Sequence, residues 1–173
     1  IASDSYGIGE LATRRLIDDG CSRILCLRNN SRMRMPANKR TDAYYDVVEQ
    51  AGLPALVREV EFVKSDDEKS AVVAKILDEN PDIDGIFAGD DTMAAICLHV
   101  MKQRGLSAPD DIKVVGADGA RRTMTFMPDL TTVRQDIDRI GELAAQSIIA
   151  LINGEKPESN IKLPVELIEG KTA

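Results

Sequence analysis

The residues with the most chemistry in them are acidic. Asp90 and Asp91 are adjacent, and Asp118 follows a later apolar run. Carboxylates grouped in this way can share acid–base work or hold a magnesium ion. No nucleophile–base pair accompanies them, and the one histidine, His99, falls in mid-helix beside Ile96 and Val100. The pattern therefore reads as binding rather than catalysis. Asp91-Thr92 is expected to cap a helix, with Asp90 and Asp118 as ligand or structural groups. No catalytic residue, metal or cofactor is expected. The three cysteines, Cys21, Cys26 and Cys97, have no CxxC spacing and read as reduced thiols.

Two further motifs have alternative readings. Gly7-Ile-Gly9-Glu-Leu-Ala12 matches GxGxxA, a dinucleotide fingerprint. Such a site needs a full strand before it, and only Ile1-Ala2-Ser3 precedes this one. The next strand ends at Arg28-Asn29, where an NAD site would have an acid. Arg28 would suit a 2′-phosphate, which leaves an NADP-linked or phosphoryl enzyme as an alternative. The other reading is that the glycines only let the chain turn into a helix. The cluster Arg28, Arg32, Arg34, Lys39 and Arg40 is either an anion site or a solvated loop with one useful arginine, and charge runs are usually solvated.

These residues need elements to hold them. Apolar positions at helical spacing predict helices starting near Ile8, around 43–51 (Ala43, Tyr44, Val47, Val48 and Ala51 inside), after the capping-type Ser65-Asp-Asp-Glu68, over 93–104 and over 136–153. Short apolar runs predict strands at 23–27, 57–63, 85–88, 112–116, 130–133 and 165–168. Alternating strands and helices predict an α/β fold, a three-layer αβα sandwich on a parallel sheet. In such sheets ligands sit beyond the carboxyl ends of the strands. The residues there are Arg28, Asn29 and Asn30; Phe62 and Lys64; Gly89, Asp90 and Asp91; and Ala117, Asp118 and Gly119. That rim suits a hydroxylated or mixed-charge small molecule.

The chain has 173 residues, 43% of them hydrophobic, enough for a core of its own. A net charge of −7 argues against a free-standing DNA-binding or membrane-surface domain. No run approaches a membrane span, and no signal peptide opens the chain. Ile1-Ala2-Ser3 reads like the end of a buried strand, so the chain is expected to begin inside a fold.

Five segments together resemble the LacI/GalR family of transcription regulators. They are the runs from Gly9 to Gly20, from Lys39 to Leu53, from Gly85 to Ala94 (Gly-Ile-Phe-Ala-Gly-Asp-Asp-Thr-Met-Ala), from Ile112 to Asp118 and from Leu130 to Asp136 (Leu-Thr-Thr-Val-Arg-Gln-Asp). The last of these favours a regulator over the related periplasmic sugar-binding proteins, which stay as an alternative. The resemblance implies a periplasmic-binding-protein type I fold, here mainly its second lobe at about 9–132. Helix 136–153 and strand 165–168 accompany that lobe, with the DNA-binding headpiece and most of the first lobe absent. It also implies a cytoplasmic, homodimeric sensor of a sugar-like effector, which meets operator DNA only through the headpiece and has no membrane partner.

Matched to the family position by position, Arg40 holds effector hydroxyls or carboxylates and Asp118 accepts from hydroxyls. Asp90 stands where asparagine is common, and Gln135 matches a cleft glutamine. Lys64 replaces an aromatic residue that stacks on the sugar; either Phe62 takes that role or Lys64 marks an acidic effector. Ala117-Asp118-Gly119 replaces the commoner aromatic-Asp-Asp. A two-fold dimer contact is implied through Ala95, Ile96, His99 and Val100, with Phe126 and Met127. The stripe Ile140, Leu143, Ala144, Ile148 and Leu151 is expected to pack on the first lobe.

Overall fold

The computed structural model describes residues 1–30, 38–61 and 64–173. Along the chain run β1 (Ala2–Ser3), α1 (Ser5–Asp18), β2 (Ile24–Asn30), α2 (Asn38–Gln50), β3 (Leu56–Glu61), α3 (Asp66–Glu79) and β4 (Gly85–Ala88). Then come α4 (Asp91–Gln103), β5 (Lys113–Asp118), α5 (Arg121–Phe126), β6 (Thr131–Gln135), α6 (Ile137–Ile152), β7 (Lys162–Leu163) and β8 (Val165–Ile168).

The main sheet has the order β3-β2-β4-β5-β6-β8. Its first five strands are parallel, and β8 lies antiparallel along β6. The sheet is therefore parallel except for this edge strand. From β2 the chain moves outward to β3 and then returns to the other side of β2 for β4, a doubly wound topology whose direction reverses between β2 and β4.

Residue alternation along the strands divides two cores. Ile24 and Cys26 face one layer, where they meet Ile8, Ala12 and Leu16 of α1 and Tyr44 and Val48 of α2. Leu25 and Leu27 face the other, with Val73, Ile76 and Leu77 of α3 and Met93, Cys97 and Met101 of α4. Period-two burial of this kind makes both faces of a parallel sheet apolar.

Local chemistry sets the helix ends. Ser65 and Glu68 form a full capping box at α3. Asp4 caps α1 by accepting from the Gly7 N–H at 3.0 Å, and it pairs with Lys162 at 2.9 Å. Tyr44, fully buried, fastens α2 to the sheet. Its hydroxyl donates to the Ile24 carbonyl at 2.7 Å and accepts from the Leu56 N–H at 2.8 Å, and burial pushes the phenol up to about 12.

Several details differ from expectation. Ala2–Ser3 is not the end of a strand in the main sheet. It pairs in parallel with β7 in a separate two-stranded sheet. Ala51 is exposed, because α2 ends at Gln50 and the chain turns away at Gly52. The segment after β5 holds the short helix α5. Ile96 and Val100 do not form a surface patch: they are 7% and 1% exposed and pack in the core under α4. The outward face of that helix carries His99, with Ala95 half-buried. Phe126 is 76% exposed, while Met127 tucks against the core.

α6 buries none of its residues. Ile148 and Leu151 of the predicted stripe are exposed, as are Ile137, Ile149 and Ile152, while Ile140, Leu143 and Ala144 are half-buried. Among the described residues no helix is long and apolar enough to cross a membrane.

Candidate functional site

The sheet reverses direction between β2 and β4, and polar groups collect from there along the carboxyl ends of β5 and β6. Gly89 leaves β4 so close to β2 that a Cβ there would lie 3.0 Å from the Leu27 carbonyl oxygen. Beside it, the Asn29 amide donates to Asp90 Oδ2. Asp90 is the N-cap of α4, with Oδ1 accepting from the Met93 N–H at 2.7 Å. The expectation that Asp91 caps this helix is corrected by one residue. An N-cap needs extended backbone, which Asp90 has at φ −153° and ψ 170°. Asp91 is the first helical residue and turns inward.

Arg40 enters from the first turn of α2. One guanidinium nitrogen donates to the Gly89 carbonyl, and Nη2 donates to Asp118 Oδ1 at 2.7 Å. Gln135, at the end of β6, donates to the same Asp118 oxygen at 2.6 Å. Asp118 sits at the end of β5 with φ 109°, followed by Gly119 at φ 57°. Burial pushes the Asp118 carboxyl up, against the pull of Arg40 and Gln135, and the nearby Asp90 charge adds to the rise. Arg40 Nε and Asn29 Oδ1 are buried without a hydrogen-bond partner among the described residues. An open cleft of about 680 Å³ adjoins this group, lined in part by Gly119, Ala120, Gln135, Asp136, Ile137 and Val165.

Three of the predicted site residues, Arg40, Asp118 and Gln135, thus meet at one carboxylate oxygen. Asp90 lies beside them, but both its oxygens already serve the fold. Lys64 does not join them. It is half-buried near the sheet edge and pairs with Glu61 at 4.0 Å. Phe62, Arg32 and Arg34 lie outside the described residues. Arg28 pairs with Glu59 across β2 and β3.

The GxGxxA glycines lie inside α1, not in a loop after a strand of the main sheet. Gly9 is buried against the backbone of α2, where a Cβ would sit 2.0 Å from the Arg40 carbonyl oxygen. It is there so that two helices can touch and Arg40 can reach the site. Sequence reasoning took Asp91 for a cap and missed its inward role. A glycine at position 116 inside β5 was the available signal, because a Cβ there would lie 2.6 Å from Asp91 Oδ1.

Over residues 13–173 the chain matches the family model described as a periplasmic binding protein-like domain. The chain belongs to that family, and its relatives within it are LacI-type transcriptional regulators. It is 32% identical over 174 residues to the ribose operon repressor of Halalkalibacterium halodurans, which covers 99% of this chain and 51% of that protein. Among solved structures it resembles a LacI-family transcriptional regulatory protein from Corynebacterium glutamicum, with a TM-score of 0.87 at 26% identity over 99% of this chain and 65% of that one. It also resembles a periplasmic binding protein/LacI transcriptional regulator from Alkaliphilus metalliredigens complexed with D-xylulofuranose, with a TM-score of 0.83 at 26% identity over 99% of this chain and 64% of that one. The chain spans about half the length of the curated relatives it matches.

Proposed function

We propose that this chain is the second lobe of the effector-sensing domain of a LacI-type transcriptional repressor, and that Arg40, Asp118 and Gln135 hold the hydroxyls of a small sugar. The convergence of Arg40 and Gln135 on Asp118 Oδ1 carries the reading. A guanidinium fork can donate to two neighbouring hydroxyls, a carboxylate can accept from two more, and an amide can do both. These groups satisfy one another, so a polyhydroxyl ligand exchanges internal bonds for its own without uncovering an unpaired charge. The rim also argues against an enzyme. Of its three candidate acid–base carboxylates, Asp90 and Asp91 accept from backbone N–H groups of the fold, and Asp118 accepts from Arg40 and Gln135.

In this reading a first lobe covers the rim and packs on the apolar stripe of α6. Effector binding favours the closed arrangement of the lobes and alters the spacing of a DNA-binding headpiece, a population shift between two domain arrangements. Such a protein works in the cytoplasm, where its operator is. Homodimerisation uses what remains exposed of the predicted patch, His99 and Phe126, with the half-buried Ala95 beside them. A helix-turn-helix encoded upstream of Ile1 is expected; a signal peptide there would favour a periplasmic sugar-binding protein instead.

Calorimetry with D-ribose, D-xylulose and other pentoses and hexoses tests the site. One of these sugars is expected to bind. Each charge-assisted hydrogen bond contributes about 1.5–3 kcal/mol, so Arg40→Ala or Asp118→Ala weakens binding about tenfold or more. Unchanged affinity in both variants refutes the assignment.

A further inference from the structure

We infer that Asp91 is a positioning residue for the effector site: its buried carboxylate holds the Asp118–Gly119 turn in the left-handed conformation that aims Asp118 at Arg40. The inference rests on the reading of Asp118 as an effector group.

Asp91 is 3% exposed and lies under the rim. Its two oxygens reach two different strands. Oδ1 accepts from the Thr132 hydroxyl on β6 at 2.6 Å, and Oδ2 accepts from the Gly119 N–H beyond β5 at 2.9 Å. The tethered turn is where the backbone is strained. Asp118 has a Cβ yet sits at φ 109°, and such a residue persists only when its surroundings hold it there. Gly119 is pressed against Arg134, where a Cβ would lie 2.7 Å from the Arg134 Cα. Room for the Asp91 carboxylate exists because residue 116 is glycine.

The groups that face Asp91 are Thr132 from β6, the Gly119 and Ala120 N–H groups, and the Asp118 carboxylate. Arg40 reaches Asp118 rather than Asp91. Burial, with Asp118 adding to it, pushes the Asp91 carboxyl up to about 6. The tether is therefore mostly ionised at neutral pH and weakens as pH falls through that value.

A double-mutant cycle on the intact protein tests this, with D-ribose, D-xylulose and the other sugars above as probes. Asp91→Ala is expected to weaken the binding sugar tenfold or more in the wild-type background and to add little in Asp118→Ala. Asp91→Asn, which can still accept from Gly119 and donate to Thr132, restores most of the affinity at pH 7.5 and reduces the fall in affinity near pH 6 to the part that Asp118 itself contributes. Thr132→Val, which removes one of the two tethers, gives an intermediate loss. An equal loss from Asp91→Ala in both backgrounds would mean general destabilisation and overturn the inference. Amide hydrogen exchange on the unliganded protein supplies an arm that needs no sugar. Asp91→Ala should speed exchange at Gly119 at least tenfold while Ile86 to Ala88 stay protected. Unchanged exchange at Gly119 overturns the inference as well. If no sugar binds the wild type, or Asp118→Ala changes nothing, the effector reading has failed, and the exchange result still decides whether Asp91 holds the turn.

Discussion

Replacing Gly9 by alanine adds one methyl group behind the backbone of Arg40 and should disable the site. A Cβ at residue 9 would lie 2.0 Å from the Arg40 carbonyl oxygen, 2.8 Å from its carbon and 2.9 Å from its Cα. Real Cβ contacts essentially never fall under 3.0 Å, and the obstacle is backbone, which has no rotamer to yield. The first turn of α2 must therefore retreat by about 1 Å, as an overpacked core does. A retreat of that size takes the 2.7 Å bond from Arg40 to Asp118 past hydrogen-bonding distance.

Two terms oppose each other in stability. Overpacking costs about 1–3 kcal/mol, while alanine in a helix gains about 1 kcal/mol over glycine. The net loss is about 0–2 kcal/mol. Affinity has no such offset. Losing charge-assisted hydrogen bonds of about 1.5–3 kcal/mol corresponds to roughly ten- to hundredfold weaker effector binding. Gly7→Ala is the matched control in the same helix, because its Cβ would meet side-chain atoms of Asp4 and Val165 at 3.1–3.3 Å. Thermal unfolding and calorimetry on both variants give the answer. If Gly9→Ala melts at or above wild type and binds the same sugar equally well, the packing argument is wrong.

Three more outcomes are expected. Asp91 has a folded-state carboxyl near 6 against an ordinary 3.8, so the fold loses stability as pH rises from about 4 through about 6. Asp91→Asn removes that slope. It should stabilise the protein at pH 7 by about 1–2 kcal/mol, less than the roughly 3 kcal/mol ceiling because its hydrogen bonds weaken. Melting temperatures from pH 4 to 8 that run parallel in the two proteins would contradict this. Tyr44→Phe leaves the Ile24 carbonyl and the Leu56 N–H without their partner and should cost about 1–3 kcal/mol in denaturant unfolding; a loss under about 0.5 kcal/mol would mean water replaces the hydroxyl. The 173-residue chain is expected to self-associate through α6, whose Ile148, Ile149, Leu151 and Ile152 are 58–79% exposed. Light scattering should show association at tens of micromolar, relieved by Ile148→Glu with Leu151→Glu, and a strict monomer for the unaltered chain would show that the stripe needs no partner.

The sequence disclosed most where the signal was periodic or punctuated. The capping box at Ser65, the strand Gly85–Ala88 and the long helix ending before Gly154 were legible because each rests on local chemistry. The α/β alternation followed from them. Features set by distant contacts were harder to read. The antiparallel β8, the pairing of β1 with β7 and the short α5 depend on partners far along the chain. On α4, Ile96 and Val100 were assigned to the wrong face because an apolar residue at a core position and one at an interface look alike in sequence. At the site, the strand ends pointed to Asp118, while Arg40 and Gln135 came only from the family resemblance, because nothing in their local sequence marks them. The role of Asp91 was hidden by a one-residue shift of the helix cap, which decides whether an aspartate faces solvent or the interior.

The two cores on either side of the sheet have a consequence for how this site can change over time. Arg40 comes from the layer of α1 and α2, and Asp91 from the layer of α3 and α4, yet both act on Asp118. The position of the Asp118 carboxylate relative to the guanidinium therefore records the difference between two independent packings. A drift of a few tenths of an ångström on one face can be cancelled by a compensating drift on the other, through residues that touch neither each other nor the ligand. A substitution that disturbs the site from one face of the sheet should accordingly be open to rescue by a second on the opposite face, with neither touching Asp118.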